Sequence, residues 1–437
     1  MLNFHRNTIN VFCTYYHRLG KIIAFLCVCM LSVAASAQER DKRQSSTENS
    51  PIIIAQIDFR QTQDSATLSM LVSKSAKPLV RYQSDPDPDR IVMEWQNLTF
   101  QLNAANASAL ERIQLDTKKI GLINTLRYGL VAPQRSRMII ELNQFAQIDK
   151  IEIQDHESGV ATILTIKIIK TDKQVFQQLV RDSPPSLPLK ADTGLRPTVN
   201  LQDPRTVIVL DPGHGGIDSG AIAASGVFEK TIVFDFAKAL KSELEASGVY
   251  RVVMTRDTDI FIPLDERVKI ARENQASLLI SIHADSLSGT GAVRGATVYT
   301  RSERATDAEA EQLASKENLV DIQAGSDIVP QAEVEEVGGI LADLTRRETH
   351  ILSQKAARNI VEGIGDTILL NKNAHRSARF VVLKSYDIPS VLIELGYLSS
   401  KEDVAQLQSQ AWRQKASHSL KRAIEAYLTQ VKISPKQ

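Results

Sequence analysis

Short runs in which apolar and polar positions alternate dominate residues 51 to about 170: Ile52-Ile-Ile-Ala-Gln-Ile-Asp-Phe59, Ala66-Thr-Leu-Ser-Met-Leu-Val72, Arg90-Ile-Val-Met-Glu-Trp95, Arg137-Met-Ile-Ile-Glu-Leu142 and Ala161-Thr-Ile-Leu-Thr-Ile-Lys-Ile168. A period of two sends successive side chains to opposite faces, as half-buried antiparallel strands do. Turn signals such as Ser84-Asp-Pro-Asp-Pro-Asp-Arg90 separate the runs, so this stretch is expected to be an all-β sandwich of about a hundred residues. Thr171 to Pro204 has few apolar residues and several prolines, Ser183-Pro-Pro-Ser-Leu-Pro188 among them, and reads as an extended interdomain linker. From 205 to about 432 strand and helix patterns alternate. Strands are expected at 206–210, 251–255, 277–282, 296–300, 380–383 and 390–393, and helices at about 231–247, 263–275, 350–369 and 411–430. That alternation predicts an α/β domain: a mixed, mostly parallel sheet with helices on both faces.

Residues 1–37 have a different layout: a basic stretch ending at Lys21, an apolar stretch from Ile22 to Ala34, then the small-residue exit Ala35-Ser36-Ala37. This is the pattern of a cleaved export signal. The apolar stretch falls short of the ~20 residues a spanning helix needs, and no Arg-Arg pair precedes it, so ordinary (Sec-type) export without a retained anchor is expected. Gln38 to Ser50 is polar and charged and reads as a disordered spacer.

Composition narrows the chemistry. With 43% apolar and 24% charged residues in 437, the chain can build ordinary globular cores. Removing 1–37, which carries Arg6, Arg18 and Lys21 but no acid, leaves 49 basic against 51 acidic residues, which argues against nucleic acid as a partner. All three cysteines (Cys13, Cys27, Cys29) lie in that same segment. A metal in the mature chain must therefore be held by His, Asp and Glu.

Three residues follow apolar runs closely: His214 after Thr206-Val-Ile-Val-Leu210, His283 after Leu278-Leu-Ile-Ser-Ile282, and Glu394 after Ser390-Val-Leu-Ile393. Strand ends of a parallel sheet converge on one crevice, so these groups can meet around one ligand. Taken singly, each has a plainer explanation. A histidine among the glycines of Asp211-Pro-Gly-His-Gly-Gly-Ile-Asp-Ser-Gly-Ala221 is usually a turn residue, and Glu229, opening a predicted helix, is most simply an acid favoured by the helix dipole. Two histidines and a glutamate at equivalent strand ends outweigh those readings and suggest zinc. Around them, Asp211, Asp218 and Asp285 are candidates to orient the histidines. Arg256 and Arg267 could contact substrate carboxylates or brace the sheet ends, and His350, His375 and His418 lack companions at ligand spacing.

The segments Val209-Leu-Asp-Pro-Gly-His-Gly-Gly216, Glu229-Lys230, Thr255-Arg-Asp257, Ser281-Ile-His-Ala-Asp285 and Ile388-Pro-Ser-Val-Leu-Ile-Glu-Leu-Gly396, in this order, resemble the zinc-dependent N-acetylmuramoyl-L-alanine amidases of bacterial cell-wall remodelling. The β-rich region resembles, less strongly, the AMIN domain that precedes such catalytic domains and is implied to target them to peptidoglycan at the division site. The resemblance implies His214, Glu229 and His283 as zinc ligands and Glu394 as the catalytic carboxylate, with the fourth metal position open to water. It implies cleavage of the amide between N-acetylmuramic acid and the L-alanine of the stem peptide, Glu394 taking a proton from water and passing it to the leaving nitrogen. With the export signal it also implies a periplasmic enzyme of daughter-cell separation. Two other functions are weighed against it: a wall-binding scaffold that has lost its chemistry, and a zinc peptidase or deacetylase acting on another wall bond.

One segment, 301–350, interrupts the strand–helix alternation. From Glu303 to Glu336 it carries ten acidic and two basic residues, which by itself describes a solvated loop. Yet Thr306-Asp-Ala-Glu309 has the form of a capping box, and Glu309, Leu313, Glu317 and Val320 then share one helical face. Division-associated members of the family imply an inserted regulatory helix that blocks the site until an activator of the LytM-domain type draws it away. Glu317, or failing it Glu309, is the expected zinc-occluding residue; Leu341, Leu344 and Ile351 could form an apolar docking face for the activator, but helical core packing is the commoner explanation of such a stripe.

Overall fold

A computed structural model describes residues 51–84, 88–101, 121–157, 159, 161–185, 203–286, 293–325 and 340–433. The expected export signal and spacer lie outside the described residues. The β-rich region comprises β1 (Ile52–Gln61), β2 (Ser65–Val72), β3 (Leu79–Gln83), β4 (Arg90–Gln96), β5 (Leu98–Phe100), β6 (Ile123–Ala132), β7 (Arg135–Leu142), β8 (Ala146–Asp155) and β9 (Thr162–Lys170). They form two sheets, ordered β5-β1-β2-β9-β8 and β3-β4-β7-β6. Ile57, Leu68, Met70, Leu164 and Ile166 from the first share one core with Ile91, Met93, Met138 and Ile140 from the second.

Five of these strands match the alternating runs, while β3, β5, β6 and β8 have no such signal. β8, AQIDKIEIQD, is an edge strand whose exposed side is charged, as unpaired edges require, so apolar counting passes over it. The expected linker needs correcting too, since it opens with a helix, α1 (Lys173–Asp182). One buried aromatic anchors it: Phe176 packs at 5.8 Å from the Tyr82 ring and 5.6 Å from that of Phe145. Val180 packs half-buried on the same core, and that core turns a short segment followed by prolines, which reads as linker in sequence, into structure.

The second region runs β10 (Thr206–Pro212), α2 (Glu229–Glu245), β11 (Tyr250–Met254), α3 (Leu264–Glu273), β12 (Leu278–His283), β13 (Ala296–Arg301), α4 (Ala308–Asn318), α5 (Val320–Gln323), α6 (Ile340–Ile364), β14 (Leu370–Ala378), β15 (Ser390–Glu394), α7 (Lys401–Gln408) and α8 (Gln410–Ile433). The sheet order is β11-β10-β12-β15-β13-β14, with every neighbour parallel except the antiparallel β13–β15 pair. Alternate strand residues face opposite ways. Ile208, Leu210, Ile280 and Ile282 meet α2, α6 and α8, whereas Val209 and Leu279 meet Ala271 of α3 on the other side.

The strand expected at 380–383 is instead a 3₁₀ turn, Val381–Leu383, and the strand in that part of the chain is β14. Phe380, Val382 and Leu383 are apolar because they pack on Leu313 and Ala314 of α4. β14, rich in Asn, Lys, His and Arg, is a sheet edge and shows almost no apolar period. The helix expected from about 350 begins at Ile340. Among the described residues no helix is long and apolar enough to cross a membrane.

Candidate metal centre and active site

β10, β12 and β15 are adjacent and parallel, so their carboxyl ends lie side by side. His283 and Glu394 are the last residues of their strands and face each other in register. His214 lies just past the end of β10 and reaches the same place by a left-handed turn, φ +60°. For a residue with a side chain that conformation costs about 1–2 kcal/mol. Buried guanidiniums hold it: Arg267 donates to the carbonyls of His214 (2.9 Å) and Pro212 (3.2 Å), and Arg256 to those of Pro212 and Gly213 (3.0 Å each). Both arginines are thus braces of the loop. Gly213 is required for a different reason, because a Cβ there would lie 2.4 Å from the His283 ring.

The two imidazoles stand edge to face, ring centres 4.9 Å apart. Glu229, in the first turn of α2, is fully buried and turns inward, its Oε1 3.1 Å from His214 Nε2 and 3.3 Å from His283 Nδ1. Its two oxygens also accept from the backbone N–H groups of Ala284 and Ala221, each at 2.8 Å, which fixes the carboxylate's orientation. Glu317 of α4 approaches the same nitrogens, its Oε2 3.4 Å from His283 Nδ1 and 3.8 Å from His214 Nε2. His214, His283 and Glu317 present ligand atoms within 4.8 Å of one another, all buried, in an arrangement suited to a metal ion. Glu309 is elsewhere, paired with Arg376 at 2.6 Å.

Electrostatically the centre draws positive charge. Burial would push the His214 imidazole down, but Asp218, Glu229 and Glu317 outweigh it and hold the ring well above its usual value. For Glu229 burial is likewise overridden by the two histidines, and its carboxyl sits well below the usual range. Asp218 accepts from His214 Nδ1 at 2.8 Å, which leaves Nε2 facing the centre. Asp211 serves a different group: it accepts from Thr255, Ser281 and Arg267 beneath the site.

Glu394 is fully buried, and one oxygen accepts from the Asp285 backbone N–H at 2.9 Å. Its other oxygen has no hydrogen-bond partner among the described residues. Burial first, and then the charges of Glu229 and Asp285, push this carboxyl well above its usual range, so it is ready to take a proton. Lys316, which sequence reasoning passed over, pairs with Asp285 beside it. Its one signal was adjacency to Glu317. The space left against His214, His283 and Glu317, lined also by Leu264, Phe380 and Val382, is about 10 Å³, room for about one water.

Two expectations about the insertion shift. The α4 cap is Asp307, whose side chain accepts from Ala310 N at 2.9 Å, and not Thr306, which instead bonds Ser377. Leu344 and Ile351 are both about half exposed on α6, while the side chain of Leu341 lies outside the described residues. His350 and His418 bond Gln354 and Glu243 at the surface, and His375 lies at the sheet edge.

The family described as N-acetylmuramoyl-L-alanine amidase matches residues 208–426. An amidase of Escherichia coli, AmiC, is 31% identical over 355 residues, covering 78% of this chain and 82% of its own. The AmiC of Neisseria meningitidis is 31% identical over 353 residues with the same coverage. Among solved structures, the amidase AmiC2 of Nostoc punctiforme is 26% identical and covers 51% of this chain and 97% of its own, with a TM-score of 0.37. From the match over nearly all of the strand–helix region and the likeness to these relatives along most of their length, the chain belongs to the N-acetylmuramoyl-L-alanine amidases, hydrolases that cleave peptidoglycan.

Proposed function

We propose that this amidase is zinc-dependent, acts in the periplasm during daughter-cell separation, and rests in a state blocked by Glu317 until a LytM-domain activator draws α4 and α5 aside. The observation that carries the metal assignment is the convergence of His214 Nε2, His283 Nδ1 and buried carboxylate oxygens. The two nitrogens and these oxygens are 3.1–3.8 Å apart, against edges of about 3.3–3.6 Å for tetrahedral zinc with bonds of about 2.0–2.2 Å. Both nitrogens lack a hydrogen-bond partner among the described residues although buried, which a cation would remedy. His214, His283 and Glu229 would hold the ion, with Glu317 at the position that substrate and water need. Bound there, zinc would polarise the amide carbonyl and acidify a water.

The protein's own groups do the rest. Glu394, with one oxygen tied to Asp285 N, uses its free Oε1 to accept the proton from water and return it to the departing alanine nitrogen. Asp218 keeps the His214 tautomer. The two-sheet β region is read as an AMIN-type sandwich that brings the enzyme to the wall. Autoinhibition by Glu317 is supported by its burial and by the closed space around it.

The test digests purified peptidoglycan with residues 38–437, wild type and Glu317→Ala, with and without a zinc chelator, and identifies products by mass spectrometry. Free stem peptides starting with L-alanine, released faster by Glu317→Ala and abolished by chelator, are expected. Release insensitive to chelator would refute the metal, and cut peptides or acetate would move the reading to another wall bond.

A further inference from the structure

β4 and β7 are buried on both faces, which a two-sheet domain standing alone does not require. Their inward residues Ile91, Met93, Met138 and Ile140 fill the β core. Their outward residues Arg90, Val92, Glu94, Arg137 and Ile139 are at most 3% exposed. What covers them is the catalytic region. Val92, Ile139 and Val131 of β6 pack on Ile217 of the His214 loop, on Phe261, and on Ala324 just past α5. The Leu130 carbonyl accepts from the N–H groups of Ile217 at 3.3 Å and Phe261 at 3.2 Å.

The polar contacts converge on the end of the regulatory segment. Arg137, fully buried and paired with fully buried Glu94, donates to the Ala324 carbonyl, and Arg90 donates to that of Ile322 at 3.1 Å. The Ala324 carbonyl lies just past the end of α5, and that of Ile322 also accepts from Gly325 N at 2.9 Å as the chain turns away from the helix. Gly325 follows at φ +72°, where a Cβ would lie 3.3 Å from both Arg137 and Ile139. A buried ion pair of this kind costs desolvation unless its remaining hydrogens are matched. Here one of them is matched by the regulatory segment itself.

We infer that the outward face of the β3-β4-β7-β6 sheet is a clamp, in the same chain, that holds α4 and α5 over the active site, so that the β domain inhibits the enzyme as well as placing it. The tether is short: Ile322 and Ala324 follow Glu317 by five and seven residues. Displacing this sheet therefore frees the segment that carries Glu317. The inference rests on the reading of Glu317 as the blocking residue.

The test replaces both members of the pair, Glu94→Met with Arg137→Met, in residues 38–437, so that no unpaired charge stays buried. Amide hydrogen exchange of 308–325 and stem-peptide release without activator are both measured. At least tenfold faster exchange and at least fivefold faster release are expected, with no further gain on adding Glu317→Ala. Unchanged exchange in a folded variant overturns the clamp, and faster exchange with unchanged release overturns its inhibitory role. Should the double variant lose its β domain, Gly325→Leu probes the same contact from the regulatory side with the Arg137–Glu94 pair intact, and the same outcomes decide. If neither wild type nor Glu317→Ala releases stem peptide, the proposed function fails, while the exchange result still reads the clamp.

Discussion

His214 shows how much a single residue's role depends on its neighbours. Its backbone is strained, its Nδ1 is committed to Asp218, and its Nε2 is free for the centre. Asp218→Asn should therefore leave the fold intact but lower metal affinity and activity by about 10–100-fold, checked by chelator competition and stem-peptide release. Asp321 offers a pH test. Burial, chiefly, pushes its carboxyl up to about 6 from 3.8, although the Leu264 N–H bonds the ionised form. The folded state then binds this proton more tightly than the unfolded state. The stabilisation is complete below pH 3.8 and is lost as pH rises through about 6. Asp321→Asn should accordingly raise stability above pH 6 by roughly 1–3 kcal/mol and give no gain near pH 4, in melts across that range.

At the scale of elements, α4 is held at both ends. Asp307 caps its start and also meets Arg376 at 3.2 Å, while Lys316 and Glu317 reach the site from its last turn. An N-cap carboxylate is worth about 1 kcal/mol. Asp307→Ala should loosen α4 and raise activator-independent release several-fold, less than Glu317→Ala does, because the buried face of Ala310, Leu313 and Ala314 still holds the helix down. The turn at Val381–Leu383 belongs to the same account. Its apolar residues resemble a strand in sequence because they are the surface on which α4 packs.

At the scale of the molecule, the two regions have separate cores, joined by the small cluster around Val92, Ile217 and Ala324. Calorimetry should show two transitions. Chelation should lower the one that belongs to the α/β region, since ligands stabilise only what binds them, and leave the β region within about a degree. A single transition that moves as a whole would mean that the clamp couples the two cores completely.

Much of the catalytic region was legible in the chain. The apolar runs before His214, His283 and Glu394 place these residues at strand ends, and parallel pairing of adjacent strands brings such ends together, so the outline of the centre follows from local pattern and one topological rule. Glu229 gained its role by resemblance, and Glu317 was preferred over Glu309 although both lie on one helical stripe. The packing of α4 on β14 and the 3₁₀ turn is what sends Glu317 inward and Glu309 to Arg376. Strands β6 and β8, helix α1, the partner of Asp218 and the clamp at Arg137 were decided only by tertiary structure. Each owes its form to residues that are distant in sequence, and no periodicity within a short window records what will cover a face.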